Sequence, residues 1–269
     1  MKKIDEDALA EAYNRALALE KAGDIDAAVK AYEDVLAIDP EDHGGAAVRI
    51  ASMGRGEAPP KASDAYVETL FDQHAASFED ILVEQLGYAV PVMVRQRLQA
   101  LELGPFKRML DLGCGTGLTG GALRDMVEDI TGIDISENMV ELAHEKDVYE
   151  TLYVAELEDF LEDNDDEPFD LVTATDVLPY LGALEPLFFG AAENMVPGGI
   201  LVFSSESVAE GEKRPFMVGP HQRFQHSQDY LRQRLADTGF EIVEVGDINV
   251  RMQEGQPSPG HLVIARRKS

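Results

Sequence analysis

The chain has 269 residues, enough for one large α/β domain and a small accessory piece. Its 51 acidic residues outnumber 23 basic ones, for a net charge of −28, which argues against gripping nucleic-acid phosphates or an anionic membrane through clustered Lys and Arg. A single cysteine, Cys114, excludes an intramolecular disulfide and any cysteine-based metal site.

The start, Met1-Lys2-Lys3-Ile4-Asp5-Glu6-Asp7, turns acidic at once and lacks the apolar core of a signal peptide. No apolar run nears the roughly 20 residues that span a bilayer, so a cytoplasmic protein is expected. Residues 5–38 read as two amphipathic helices, with Ala8, Leu9, Ala12, Ala16 and Leu19, then Ala28, Val29, Tyr32, Val35 and Leu36, at helical spacing. Gly23 supplies a turn between them and Pro40 closes the second. A further helical pattern from His43 to Met53 is interrupted by Gly54-Arg55-Gly56-Glu57-Ala58-Pro59-Pro60. The domain boundary is placed there, giving an all-α segment 1–56 and a main domain 57–269.

From Ser63 a helical lead-in runs to Leu101. Strand and helix signals then alternate, as in a parallel sheet with crossover helices, with strands at 107–111, 129–134, 151–155, 169–174 and 199–204. Gly239–Val245 and His261–Ala265 are predicted as a terminal antiparallel pair joined by a long Gly- and Pro-bearing loop. The acidic run Asp163–Glu167 lacks the glycine and spaced ligands of a calcium loop and is read as solvated, leaving no metal site.

The chemistry lies at Met109-Leu110-Asp111-Leu112-Gly113-Cys114-Gly115-Thr116-Gly117, an apolar strand that ends in an aspartate followed by alternating glycines. Such glycines let the backbone turn sharply and approach a ligand that a Cβ would hold off. A second strand ends at Asp134, the distance expected for a ribose-binding acid, so the unit is a nucleoside-binding half-fold. Gly115-Thr116-Gly117-Leu118-Thr119-Gly120 also satisfies the dinucleotide fingerprint, and a nicotinamide-dependent oxidoreductase is one alternative. Asp111 argues against it, because a carboxylate there repels a pyrophosphate and welcomes a cation. So does the acidic run Glu156-Leu157-Glu158-Asp159, placed to accept from an adenine amino group.

These segments, with Phe169-Asp170-Leu171-Val172-Thr173-Ala174-Thr175-Asp176-Val177-Leu178 and Val196-Pro197-Gly198-Gly199, resemble the class I S-adenosylmethionine-dependent methyltransferase family over residues 64–268. The resemblance implies a Rossmann-like α/β fold with a seven-stranded, mostly parallel sheet and an antiparallel last strand. It also implies S-adenosyl-L-methionine as cofactor, with Gly113, Gly115 and Gly117 beside its methionine part and Asp111 near its ammonium. Asp134 is expected to accept from the ribose hydroxyls, Ile135 and Met139 to pack on the adenine, and Glu156 with the Leu157 amide to meet the adenine edge. The family more often has Asp at the position of Glu156. The N-terminal helices resemble one tetratricopeptide repeat of about 34 residues, with Ala12 in place of the usual large residue.

Candidate catalytic residues are Asp176 on the floor of the methyl-transfer site, Tyr180 where many relatives carry a histidine, and His221 and His226. Glu206 is a further candidate base. Arg214, Arg223 and the two histidines make residues 214–226 less acidic than the rest, which suggests a small-molecule acceptor that is anionic. A single repeat cannot bury its own apolar face, so it packs on the main domain, on another copy or on a protein partner. A protein-interaction scaffold, or an enzyme that methylates a protein docked on the repeat, is the reading of another class.

Overall fold

The computed structural model describes residues 5–269; Met1–Ile4, part of the stretch read as lacking a leader, lie outside the described residues. Helices α1 (Glu6–Lys21) and α2 (Ile25–Ile38) form a hairpin, and each starts at an aspartate whose carboxylate accepts from a first-turn amide, Asp5 from Ala8 and Asp24 from Ala27. Gly23 turns the chain between them at φ 78°. Ala16, Ala31, Tyr32, Val35 and Ala46 make a small core inside this region. Helix α3 (Ala46–Ser52) turns Val48 away from it, into a cluster with Ala62, Val218 and Phe224 of the main body. The predicted helical lead-in is broken into α4 (Asp64–His74), a short turn at Ala75–Ser77, a π-helical turn at Asp80–Gln85, and α5 (Val90–Ala100).

Strand β1 (Phe106–Leu112), α6 (Leu118–Leu123), β2 (Val127–Asp134), α7 (Glu137–Glu145) and β3 (Thr151–Val154) build the first half of the sheet. Helix α8 (Leu157–Asp163), β4 (Phe169–Ala174), α9 (Glu185–Glu193) and β5 (Met195–Ser207) build the second. A short hairpin, β6 (Phe216–Val218) and β7 (Phe224–His226), precedes α10 (Gln228–Asp237), β8 (Phe240–Gln253) and β9 (Gln256–Arg267). Strands β3, β2, β1, β4 and β5 lie side by side and parallel, and β9 then pairs antiparallel with both β5 and β8.

The described sheet has nine strands, two more than the resemblance implied. The extra pair is the β6–β7 hairpin, attached parallel to the end of β5 through Glu206 and Ser207. The tail differs from its expectation too. The long loop foreseen between its strands is itself paired, up to Gln253 opposite Gln256. Glu254 and Gly255, both at positive φ, close the hairpin with the two-residue turn that suits strand twist. Pro257 and Pro259 are tolerated because β9 has lost its β5 neighbour there, the β5 pairing having ended at Gly260.

Pleat alternation divides the core. Leu110, Leu112, Val172, Ala174, Leu201, Phe203 and Val263 face α8, α9 and α10, whereas Met109, Ile130, Leu171, Ile200, Val202 and Leu262 face α5 and α6. Phe188 of α9 is fully buried against the tilted ring of Phe203, 5.1 Å between centroids. Replacing Phe188 by Ala is expected to lower unfolding free energy in urea by about 3–5 kcal/mol, the range for emptying an aromatic core site.

Candidate active site

The C-terminal ends of β1, β2 and β4 open on one cleft, where parallel α/β sheets place ligands. It has two compartments. One lies between Lys61, Val67, Phe71, Asp134, Ile135, Glu156, Leu157 and Tyr180. The other is lined by Phe78, Leu82, Tyr88, Cys114, Gly115 and Thr116. Phe71, Gly113 and Asp176 border both, so the space suits an elongated ligand with two unlike ends. Gly113 makes the junction: at φ +61° it favours glycine, and a Cβ there would come within 2.6 Å of Val177 Cγ2.

Of the residues singled out from sequence, Gly113, Asp134, Ile135, Glu156, Leu157, Asp176 and Tyr180 line the first compartment, and Gly115 the second. Asp111, Gly117, Met139, His221 and His226 line neither. Met139 is fully buried in α7. Asp111 faces away from the cleft surface, accepting from Thr173 Oγ1 at 2.7 Å and from the Tyr149 hydroxyl at 2.8 Å. Gly117, Gly120 and Gly132 leave room for that tyrosine, because a Cβ on Gly120 would sit 2.5 Å from its ring. The later glycines of the motif therefore seat a side chain rather than a ligand. Tyr149 carries no periodic or motif signal of its own and was missed in the sequence.

The histidines depart from expectation as well. His226 is fully buried, with Nε2 against the Leu181 carbonyl at 2.8 Å and its ring stacked on Tyr230. Burial pushes its imidazole down to about 4, so it is neutral and structural at neutral pH. His221 lies exposed in the turn between β6 and β7. Neither is placed to take a proton from an acceptor in the cleft.

The expected anion-binding arginine is also otherwise engaged. Arg223 donates to Glu206 at 2.5 Å, to Asp176 at 2.7 Å and to the Tyr180 hydroxyl at 3.2 Å. Arg251, which reaches in from β8, pairs with the same Asp176 oxygen. Two guanidiniums and two carboxylates balance, so no net positive charge is left for an anion. Arg214 is spent on Glu212 on the surface. Arg251 lies more than 70 residues from Asp176 in sequence, and only the curl of the β8–β9 hairpin brings it in. Asp176 itself sits at φ 62°, its amide donating to Ser204 Oγ, a left-handed conformation that Asp tolerates better than most residues. Replacing Arg223 by Met is expected to destabilise the fold by about 3 kcal/mol in urea melts, because buried carboxylates lose their partner. A surface anion receptor could be deleted without that cost.

The cleft has a roof. Phe71 and Val67 of α4 line it from above. Ser136 Oγ donates to Asp72 at 2.5 Å and Thr116 Oγ1 to Glu79 at 2.5 Å, while Lys146 pairs with Glu79, fastening the roof to the glycine loop and to both ends of α7. The acids below are well shielded. Burial pushes the Asp111 carboxyl from 3.8 up to about 6, against the pull of Thr173 and Tyr149. Burial does the same to Asp134, again to about 6, although the Ser136 and Gly115 amides donate to its two oxygens at 2.9 and 2.8 Å.

An acid with a raised folded pKa holds a proton that the unfolded chain has released. The contribution of Asp111 is therefore complete below pH 3.8 and is lost as pH rises through about 6. Wild-type unfolding free energy minus that of Asp111→Asn is expected to fall over this interval and to level off above it. A difference independent of pH would contradict this.

A methyltransferase-domain family model matches residues 84–245. An O-methyltransferase of Pyrenophora dematioidea is 27% identical over 218 residues, covering 71% of this chain and 80% of that protein. The ubiquinone biosynthesis O-methyltransferase of Hydrogenovibrio crunogenus is 29% identical over 103 residues, covering 37% of this chain and 42% of its own length, so the match spans under half of that relative. Among solved structures, magnesium protoporphyrin IX methyltransferase from Synechocystis, solved with bound SAH, superposes with a TM-score of 0.52 at 20% identity, over 66% of this chain and 82% of that one. The N-methyltransferase NodS from Bradyrhizobium japonicum, in complex with S-adenosyl-L-homocysteine, gives 0.51 at 18% identity, over 66% and 86%. At such identities these structures speak for the fold alone. With the family model spanning the glycine loop, both strand-end acids and the Asp176 segment, the nicotinamide alternative falls, and the chain belongs to the methyltransferase-domain family.

Proposed function

We propose that this protein is an S-adenosyl-L-methionine-dependent methyltransferase whose acceptor is a small molecule methylated on oxygen. The observation that carries the reading is the two-part cleft, with acceptor-only carboxylates at one end and bare glycine backbone at the junction. S-adenosylmethionine supplies, when bound, a methyl group already activated on a sulfonium. The chain's task is then alignment of the acceptor and exclusion of water.

Asp134 and Glu156 are the residues to hold the ribose hydroxyls and the adenine amino group, and Ile135 and Leu157 the apolar walls beside the base. Gly113 and Gly115 bring the backbone alongside the methionine portion. Asp176 and Tyr180 face the acceptor. Arg223 and Arg251 fix the Asp176 carboxylate in place, so it orients an acceptor O–H by accepting its hydrogen bond. The two sequence relatives are O-methyltransferases, which favours oxygen. A neutral acceptor replaces the anionic one, because Arg223 is already paired.

Asp134→Ala is expected to weaken S-adenosylhomocysteine binding by about 10–100-fold in calorimetry, the loss for a hydrogen bond to a charged group. Methyl-labelled S-adenosylmethionine incubated with the protein and a cell extract is expected to label a small molecule. Label carried by a protein instead would favour docking through the N-terminal helices.

A further inference from the structure

Lys61 sits inside the cleft although nothing in the sequence marked it. It directly follows the Gly/Pro-bearing stretch, residues 54–60, at which the domain boundary was placed between α3 and α4. This part of the chain is pinned. The Pro60 carbonyl accepts from the Gly182 and Ala183 amides, each at 2.8 Å, and the Ala62 amide donates to the Tyr180 carbonyl at 2.8 Å. Lys61 and Leu181 thereby pair as an isolated antiparallel bridge, and the lysine side chain is delivered to a fixed place.

Its ammonium lies among three carboxylates, 2.9 Å from Asp64, 3.1 Å from Glu156 Oε1 and 3.7 Å from Glu158. Glu156 Oε2 is held independently, accepting from the Asp159 amide at 2.8 Å as the N-cap of α8. Each Glu156 oxygen thus has one fixed donor and one lone pair left over. The side chain of Lys61 is 28% exposed and that of Glu156 16%, so the contact is only partly screened by water. Burial works against the lysine's charge, but its hydrogen bonds to Asp64 and Glu156 outweigh that and hold the ammonium above its ordinary range. In a chain of net charge −28, three neighbouring carboxylates without a cation would repel one another and swing apart.

We propose that Lys61 is a positioning residue of the cofactor site: it fixes the Glu156 carboxylate in the orientation that accepts an adenine amino group. The inference rests on the cofactor reading above. Lys61 acts through Glu156, and it ties the adenine end of the cleft to the Tyr180 loop through the strap that carries it.

The test is a double-mutant cycle read by calorimetric titration of S-adenosylhomocysteine, and of adenosine alone, into the full chain. Lys61→Met and Glu156→Gln are each expected to weaken both ligands about 10-fold, and the double variant no more than about twice that, since the two side chains work as one unit. Lys61→Arg, which keeps the charge, is expected to restore most of the affinity. A lysine that served only to hold the strap would give losses that multiply in the double variant, and this outcome overturns the proposal. So does a Lys61→Met variant that binds as tightly as wild type or more tightly. If wild type itself gives no heat with S-adenosylhomocysteine, the cofactor reading fails and this inference with it. If wild type binds and Lys61→Met is indistinguishable, only the role of Lys61 fails.

Discussion

The cleft depends on a buried carboxylate and a tyrosine that fits three glycines. Asp111, next to last in β1, lies on the face that carries Met109, and there it accepts from Thr173 of β4 and from Tyr149, which stands just before β3. One side chain therefore joins the two central strands of the site and the turn leading to a third. The ring of Tyr149 fills the space that Gly117, Gly120 and Gly132 leave open, which holds the glycine loop against β2. Any side chain at those positions would displace the tyrosine and loosen Asp111. Gly113 is thereby set where the two compartments meet, and Gly115 in the lining of the second. The cost is a carboxyl that burial makes harder to ionise.

Charge organises the rest of the site. The chain carries a large excess of acid, yet several carboxylates around the cleft have a cation beside them. Asp176 and Glu206 share Arg223 and Arg251, Glu156 has Lys61, and Glu79 has Lys146. Basic residues are few, and several of those near the cleft are spent neutralising it. This is why a locally basic segment in the sequence does not become an anion site in the fold: Arg223 and Arg214 both find carboxylates before any ligand would. The roof is held in a similar way, with Asp72 accepting from the Ser136 hydroxyl at the start of α7 and Glu79 from the Thr116 hydroxyl in the glycine loop.

The motif residues were legible because their spacing is a local property. A strand that ends in a glycine run, and a second strand that ends in Asp134, place backbone and carboxylate at one sheet edge whatever surrounds them. The same holds for Ile135, Glu156 and Leu157, which follow strand ends directly. Met139 and Gly117 line neither compartment, because one turn of helix, or one step of a loop, rotates a residue from the cleft side to the core side. The histidines lie away from the cleft for a different reason. Proximity to Arg223 in sequence said nothing of the pleat, and alternation along β7 turns His226 inward against Tyr230.

By itself the sequence determined the α/β class, the antiparallel end of the sheet, the glycine turn and the acids beside it, all of which rest on periodicity and short-range backbone rules. Only the tertiary structure decided which charges are free. Arg251 meets Asp176 because the β8–β9 hairpin continues past β5 and curls over the sheet, and Lys61 meets Glu156 because a strap is hydrogen-bonded across to residues 180–183. Pairings across 75 and 95 positions leave no periodic trace, since they are set by where whole elements pack rather than by any run of neighbours.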